Sequence, residues 1–228
     1  SRRIIFDKQI LIIGLKNCLE IVRLGLPMSL QRVLFTAISI ILAKMIASYG
    51  TEAIAAQKIG LQIESITFIV MGALNGAVGS FIGQNYGAGY FKRIKNGYSV
   101  SMILAISYAL LVSFVFIVFA EQLPRIFTND PITIEIASSY LVIIGLSQIF
   151  MAMEMISNGV FSGMGLPKIP SIISIVFTII RIPLSFLLMP VLGVEGIWWS
   201  ITISSIIKGL IAVIIFQIIY KRRYQYEY

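Results

Sequence analysis

Six long apolar stretches, separated by short polar breaks, occupy most of this chain of 228 residues. Each stretch is about as long as a helix needs to cross the hydrocarbon core of a bilayer, roughly 20 residues. Because a backbone inside lipid must satisfy its own hydrogen bonds, stretches of this kind are helical. The pattern predicts an all-α integral membrane protein, with a single six-helix bundle over residues 1–228. The predicted spans are 24–48, 53–82, 98–120, 134–160, 171–189 and 197–220.

The composition agrees with a membrane protein and argues against catalysis. Hydrophobic residues make up 58% of the chain and charged residues 12%, whereas about a quarter of a soluble domain is charged. The chain has no histidine and a single cysteine, Cys18. The usual general base, the commonest metal ligand and any internal disulfide are therefore missing. We predict no enzyme activity, no catalytic residue, no metal site and no cofactor.

Basic residues are concentrated at alternate ends of the predicted spans. One side of the membrane carries twelve of them: Arg2, Arg3, Lys8, Lys16, Arg23, Lys92, Arg93, Lys95, Lys168, Lys221, Arg222 and Arg223. The opposite side carries only Arg125. This asymmetry predicts a multi-pass protein of the cell membrane with both ends of the chain in the cytoplasm. It also accounts for the net charge of +8 without nucleic-acid binding.

The segment before the first predicted span is too short and too charged to cross a membrane. Residues 9–23 mix apolar side chains with Lys16, Glu20 and Arg23, which is typical of a helix lying at the membrane surface. The chain starts at Ser1 without an initiator methionine or a cleavable signal, so we expect it to be a piece of a longer protein.

Several charged residues fall inside the predicted spans. Lys44 and Lys58 lie near the outer face, close enough for their ammonium groups to reach water. Glu64, Arg181 and Lys208 lie near mid-depth, where a charge must face the bundle interior or a hydrated cavity. Two interpretations remain open. The three residues line a polar cavity, or Glu64 forms a buried structural pair with Arg181 or Lys208.

A polar stripe on the fourth span suggests a cation site. Its members recur at helical spacing on one face: Ser147, Met151, Glu154, Asn158 and Ser162. A carboxylate such as Glu154 on a polar stripe in lipid is a candidate proton or cation site, although packing of the stripe against another helix explains it equally well. Gln57 and Glu64 share a face of the second span, and Gln31 lies on the first. The candidate substrate-binding or cation-binding residues are Gln31, Gln57, Glu64, Glu154 and Asn158.

Small residues form a second stripe, on the second span. They are Gly72, Gly76, Ser80, Gly83 and Gly87. Small residues at spacings of three and four allow another helix to approach closely, so we predict a packing face here rather than a functional site.

Six short segments together resemble the multidrug and toxic compound extrusion (MATE) family. They are Gly25–Gln31, Ala53–Gln57, Ile82–Ala88, Phe161–Lys168, Arg181–Leu184 and Gly193–Trp199. The resemblance implies that this chain is the C-terminal six-helix lobe of a twelve-helix transporter, whose N-terminal lobe is its partner. It further implies a secondary-active antiporter that exports organic cations or drugs in exchange for protons or sodium ions, with membrane lipid around it.

The chain departs from the family at the acidic positions of this lobe. Where one branch carries a carboxylate on the first helix, this chain has Leu34 or Phe35, and where that branch has an aspartate on the fourth helix it has Met151. Glu154 lies one turn further along the same face and is the candidate substitute.

Two alternatives to an antiporter remain open. A related lipid-linked oligosaccharide flippase would need a basic cleft, which Arg32, Arg181 and Lys208 could line. A non-transporting membrane scaffold, or a half-size protein that works as a homodimer, is the other alternative.

Overall fold

The structure, a computed structural model, describes residues 15–224, and it describes their side chains except at positions 15–21, 23, 24, 27, 28, 223 and 224. This range folds into helices joined by short turns. The helices are α1 (Leu15–Ala47), α2 (Thr51–Gly87), α3 (Phe91–Val118), α4 (Gln122–Arg125), α5 (Pro131–Gly145), α6 (Gln148–Gly163), α7 (Lys168–Leu192) and α8 (Glu195–Tyr224). The predicted all-α fold class is confirmed.

Five of these helices are long and apolar enough to cross a membrane: α1, α2, α3, α7 and α8. The pair α5 and α6 makes a sixth span if the two are counted together. Large apolar side chains such as Val33, Ile69 and Ile103 are exposed on the outside of the bundle, where lipid tails would cover them. Residues 15–23, predicted as a separate surface helix, continue without a break into α1, and residues 9–14 lie outside the described range.

The fourth predicted span is broken in the middle. We expected one helix over 134–160, but α5 and α6 meet at an angle of 52°. The Ser147 amide donates to the Ile144 carbonyl at 3.0 Å, which is a tighter turn than an α-helix makes, and the Ser147 hydroxyl donates to the same carbonyl at 2.9 Å. Glycine and serine close together are a common cause of helix kinks, and Gly145 and Ser147 supply them here.

The start of α5 is fixed outside the apolar span by Asp130. Its Oδ2 accepts hydrogen bonds from the Thr133 amide at 2.9 Å and from the Thr133 hydroxyl at 2.6 Å, and Pro131 occupies the first helical turn. These hydrogen bonds, with that of the Thr133 hydroxyl the strongest, hold the pKa of Asp130 below its ordinary value of 3.8.

Helix α6 lies at the centre of the bundle and packs against α2, α3 and α8. Its contact with α2 is close because glycines face each other. A side chain on Gly163 would meet the Gly79 carbonyl at 2.5 Å, and one on Gly159 would meet the Asn75 carbonyl at 2.7 Å. These helices therefore come together backbone to backbone.

The small-residue stripe predicted on the second span only partly forms this contact. Gly83 faces Gly163, but Gly72, Gly76 and Gly87 have open space around them, and Ser80 is exposed. Within the described part of the chain the predicted packing is thus found at Gly83, and at the other positions the packing face stays a prediction. The contact uses Asn75, Gly79 and Gly83, a face of α2 rotated away from the predicted one.

Candidate functional site

Four charged side chains are buried together in the lobe, each on a different helix. Glu64 on α2 is 7% exposed, Glu154 on α6 is 8%, Arg181 on α7 is 7% and Lys208 on α8 is 6%. Charge in an apolar interior is costly unless it is paired or hydrogen-bonded. With two carboxylates and two basic groups, the set is electrically neutral in its fully ionised form.

Glu154 and Lys208 form a direct ion pair. Lys208 Nζ lies 3.0 Å from Glu154 Oε2, and the two side chains are 8% and 10% exposed respectively. The other carboxylate oxygen, Oε1, accepts a hydrogen bond from the Ser174 hydroxyl at 2.9 Å. Both oxygens of Glu154 are therefore engaged, one by an ammonium and one by a neutral donor.

Arg181 is held by serine hydroxyls. Its Nε donates to Ser204 Oγ at 2.6 Å, and a terminal guanidinium nitrogen donates to Ser205 Oγ at 3.3 Å. Among the described side chains, no carboxylate lies within 4.0 Å of Arg181, although Glu154 and Glu64 both act on it electrostatically. The Arg181 guanidinium thus contributes positive charge to the site without forming a direct ion pair with either carboxylate.

Glu64 is held by neutral donors. The Tyr140 hydroxyl donates to Oε2 at 3.0 Å, and the Gln148 amide donates to Oε1 at 3.3 Å. The side-chain oxygen of Gln148 is fully buried and has no hydrogen-bond partner among the described residues. A buried pair between Glu64 and Arg181 or Lys208 was one of the two interpretations of the sequence. In the structure, Lys208 forms its ion pair with Glu154 instead.

Among the described residues, the other candidates form no hydrogen bond or ion pair with these four charged side chains. Gln57 is half-buried, and its Oε1 accepts a hydrogen bond from the Trp198 indole at 3.2 Å. Gln31 and Asn158 are half-buried. Glu64 and Glu154 are thus the candidates that the fold brings into one polar centre. Lys44 and Lys58 are exposed.

Sequence reasoning missed the small polar residues that complete the site. On α7 four of them share a buried face with Arg181, at spacings of three and four along that face: Ser171, Ser174, Thr178 and Ser185. Ser185 and Ser200 continue the polar contact between α7 and α8 with a hydrogen bond of 2.7 Å. The periodicity of this serine-rich face was the signal that could have identified it.

Apolar helices of membrane-spanning length around a buried, charge-balanced centre define the class as a multi-pass membrane protein. A family model described as MatE matches residues 27–187. Among curated relatives, the Thermotoga maritima protein named "Probable multidrug resistance protein NorM" is 29% identical over 200 residues, which is 86% of this chain and 43% of that protein. The human "Multidrug and toxin extrusion protein 1" is 25% identical over 164 residues, 71% of this chain and 29% of that one.

Solved structures give the same architecture. The Vibrio cholerae MATE transporter VcmN in its bent form superposes with a TM-score of 0.85 at 23% identity, covering 95% of this chain and 50% of that one. Because the family model matches more than half of its residues, this chain belongs to the MatE (MATE) family. It spans about half the length of the curated bacterial relatives it matches, 43% of the Thermotoga maritima protein.

Proposed function

We propose that this chain is the C-terminal lobe of a secondary-active antiporter, located in the cell membrane with both ends of the segment in the cytoplasm. The transporter exports organic cations or drugs in exchange for an inward flux of protons or sodium ions. The observation that carries the proposal is the carboxylate of Glu154, buried at the broken fourth span and neutralised by Lys208. A buried acid whose partner is a movable cation is suited to exchange one positive charge for another.

An N-terminal lobe is the partner that this proposal requires. Alternating access would come from the movement of one lobe against the other around a site between them. The uncovered part of the small-residue stripe on α2, which includes Gly72, Gly76 and Ser80, supports close approach by a helix outside the described lobe.

A lipid-linked oligosaccharide flippase receives less support from the geometry. Such a protein would need Arg32, Arg181 and Lys208 on a common basic surface. Arg32 is exposed, whereas Arg181 and Lys208 are buried and balanced by carboxylates. Because the positive charges of Arg181 and Lys208 are balanced by carboxylates inside the lobe, they do not form an exposed binding surface for a phosphorylated headgroup.

The test of the antiport proposal is transport by the full-length protein in proteoliposomes. An inward-directed proton or sodium gradient should drive movement of a labelled organic cation in the opposite direction. Glu154→Gln should abolish this movement, and the exposed Glu135→Gln serves as the matched control that retains it. Gradient-driven transport that is equal in the wild type and Glu154→Gln would remove Glu154 from the mechanism.

A further inference from the structure

The ion pair between Glu154 and Lys208 has a consequence for any cation that binds in this lobe, and the inference rests on the proposed function. We propose that Lys208 is a tethered competitor for the exported cation and that its ammonium group carries the exchanged proton. When no substrate is bound, the Lys208 ammonium forms an ion pair with the Glu154 carboxylate. In the loaded state the substrate cation takes its place, and Lys208 remains nearby as a neutral amine.

The first support is that both oxygens of Glu154 are already engaged. One carboxylate oxygen contacts the Lys208 ammonium at 3.0 Å, and the other accepts from the Ser174 hydroxyl at 2.9 Å. A cation that is to be neutralised by this carboxylate must displace Lys208, because the ammonium already balances its single negative charge and the Ser174 donor is neutral. The Lys208 ammonium and a substrate cation therefore compete for the same carboxylate.

The second support is the charge balance of the buried set. A monovalent cation that enters a neutral, poorly solvated cluster leaves one positive charge uncompensated, which is costly in an apolar interior. The cluster restores neutrality by losing a proton. Arg181 cannot supply it because guanidinium does not deprotonate in proteins. Among the described residues Glu64 forms no hydrogen bond or ion pair with Glu154 or Lys208, because its oxygens contact the Tyr140 hydroxyl and the Gln148 amide.

Lys208 loses its direct counter-ion when the incoming cation pairs with Glu154, so it is the group that gives up the proton. Its N–H bond breaks heterolytically, the electron pair stays on Nζ, and the proton leaves to water. The flexible four-carbon stem allows the amine to withdraw without movement of α8. One proton is exchanged for one monovalent cation, so the net charge of the lobe is the same in both states.

The titratable and charged groups around Lys208 come from several helices. Glu154 on α6 and Arg181 on α7 act on Lys208 directly, and Glu64 on α2 and Tyr140 on α5 act on Arg181. On α1, the charged side chains whose burial is described, Arg32 and Lys44, are exposed. The response of Lys208 to a bound cation is therefore dominated by Glu154, its one direct counter-ion among the described residues.

The experiment measures binding of tetraphenylphosphonium, a monovalent organic cation, to the purified full-length protein by calorimetry at pH 8.5. Lys208→Gln removes the competitor and should tighten the Kd about tenfold, which corresponds to about 1.4 kcal/mol. Lys208→Arg keeps a charge that cannot be shed and should weaken binding about tenfold or more. The exposed Lys58→Gln is the matched control, with an unchanged Kd.

Proton release, followed with a dye in weakly buffered solution, is the second readout. The wild type should release about one proton per cation bound, and Lys208→Gln and Lys208→Arg should release none. A purely structural role of Lys208 would not change this ratio. Undiminished release from Lys208→Gln would assign the proton to another group and overturn the inference, as would a Kd for this variant equal to or weaker than that of the wild type.

The two proposals fail in different ways. If the wild type binds and transports the cation without releasing a proton, only the role of Lys208 is wrong. If the wild type neither binds nor transports any organic cation, the antiport function is wrong and this inference falls with it. Size-exclusion chromatography identifies variants that do not fold, and in that event the charge-conserving Lys208→Arg carries the test.

Discussion

The two buried carboxylates of this lobe are held in different ways. Glu64 accepts hydrogen bonds from the neutral side chains of Tyr140 and Gln148, whereas Glu154 is paired with the ammonium of Lys208. A neutral donor stabilises a carboxylate without competing with a cation for it. An ammonium stabilises the carboxylate and also competes with other cations for it. We infer from this comparison that neutral donors hold Glu64 in place, while Glu154 is the position at which one cation can replace another.

Removing the acid from the ion pair should have the largest effect on stability. Glu154→Ala removes the counter-ion of the buried Lys208, and breaking a buried ion pair in this way costs about 3–5 kcal/mol of unfolding free energy. Thermal unfolding of the full-length protein in detergent measures the change. The double variant Glu154→Ala with Lys208→Met, which removes both charges, should recover most of it. A single variant as stable as the wild type would contradict a net stabilising role of the pair.

A double-mutant cycle should separate the two carboxylates. Glu154→Gln and Lys208→Gln share a direct contact, so we expect them to couple by about 1–3 kcal/mol. Glu64→Gln and Lys208→Gln share no such contact, and their effects should add to within about 0.5 kcal/mol. The same unfolding measurement supplies both cycles. Equal coupling in the two cycles would remove the distinction drawn between the acids.

Loss of the neutral donor to Glu64 should affect stability but not cation binding. Tyr140→Phe leaves Glu64 Oε2 buried without its donor and should cost about 1–3 kcal/mol. The Kd for tetraphenylphosphonium should stay unchanged, because the contact between Glu154 and Lys208 is intact. Calorimetry and thermal unfolding of the same sample test both halves of this prediction. A weakened Kd would show that Glu64 also takes part in binding.

The smallest effect is expected at Asp130, outside the apolar spans. Because its pKa is lowered in the folded protein, its carboxylate contributes stability above its ordinary value of 3.8, and the contribution disappears as the pH falls through the lowered value. Asp130→Asn should therefore unfold at a lower temperature than the wild type at pH 6, and the difference should narrow below pH 3.8. A difference that does not change with pH would mean that the charge of Asp130 is not what caps α5.

The existence of the membrane helices follows from the sequence, because the length of each apolar run sets where a helix can cross. The break between α5 and α6 cannot be predicted from the sequence in this way. Glycine and serine occur within several of the spans, and whether they bend a helix depends on the neighbours that re-satisfy its backbone, which here include the Ser147 hydroxyl. The face of α2 that meets α6 was missed for a related reason, since glycines occur on two sides of that helix.

The members of the polar centre were partly predictable. Glu64, Arg181 and Lys208 are predicted to lie at similar depth from their positions in the spans, and Glu154 lies on a recognisable polar stripe. Depth says nothing about the rotation of each helix about its axis. That Lys208 meets Glu154 rather than Glu64 is set by the packing of α8 against α6 and α7, which sequence periodicity does not give.

The most direct measurement is an experimental structure of the full-length protein with tetraphenylphosphonium bound. We expect the cation to lie against the Glu154 carboxylate and Lys208 Nζ to have moved away from its present distance of 3.0 Å from Glu154 Oε2. Bound cation together with an unbroken contact between Lys208 and Glu154 would contradict this expectation.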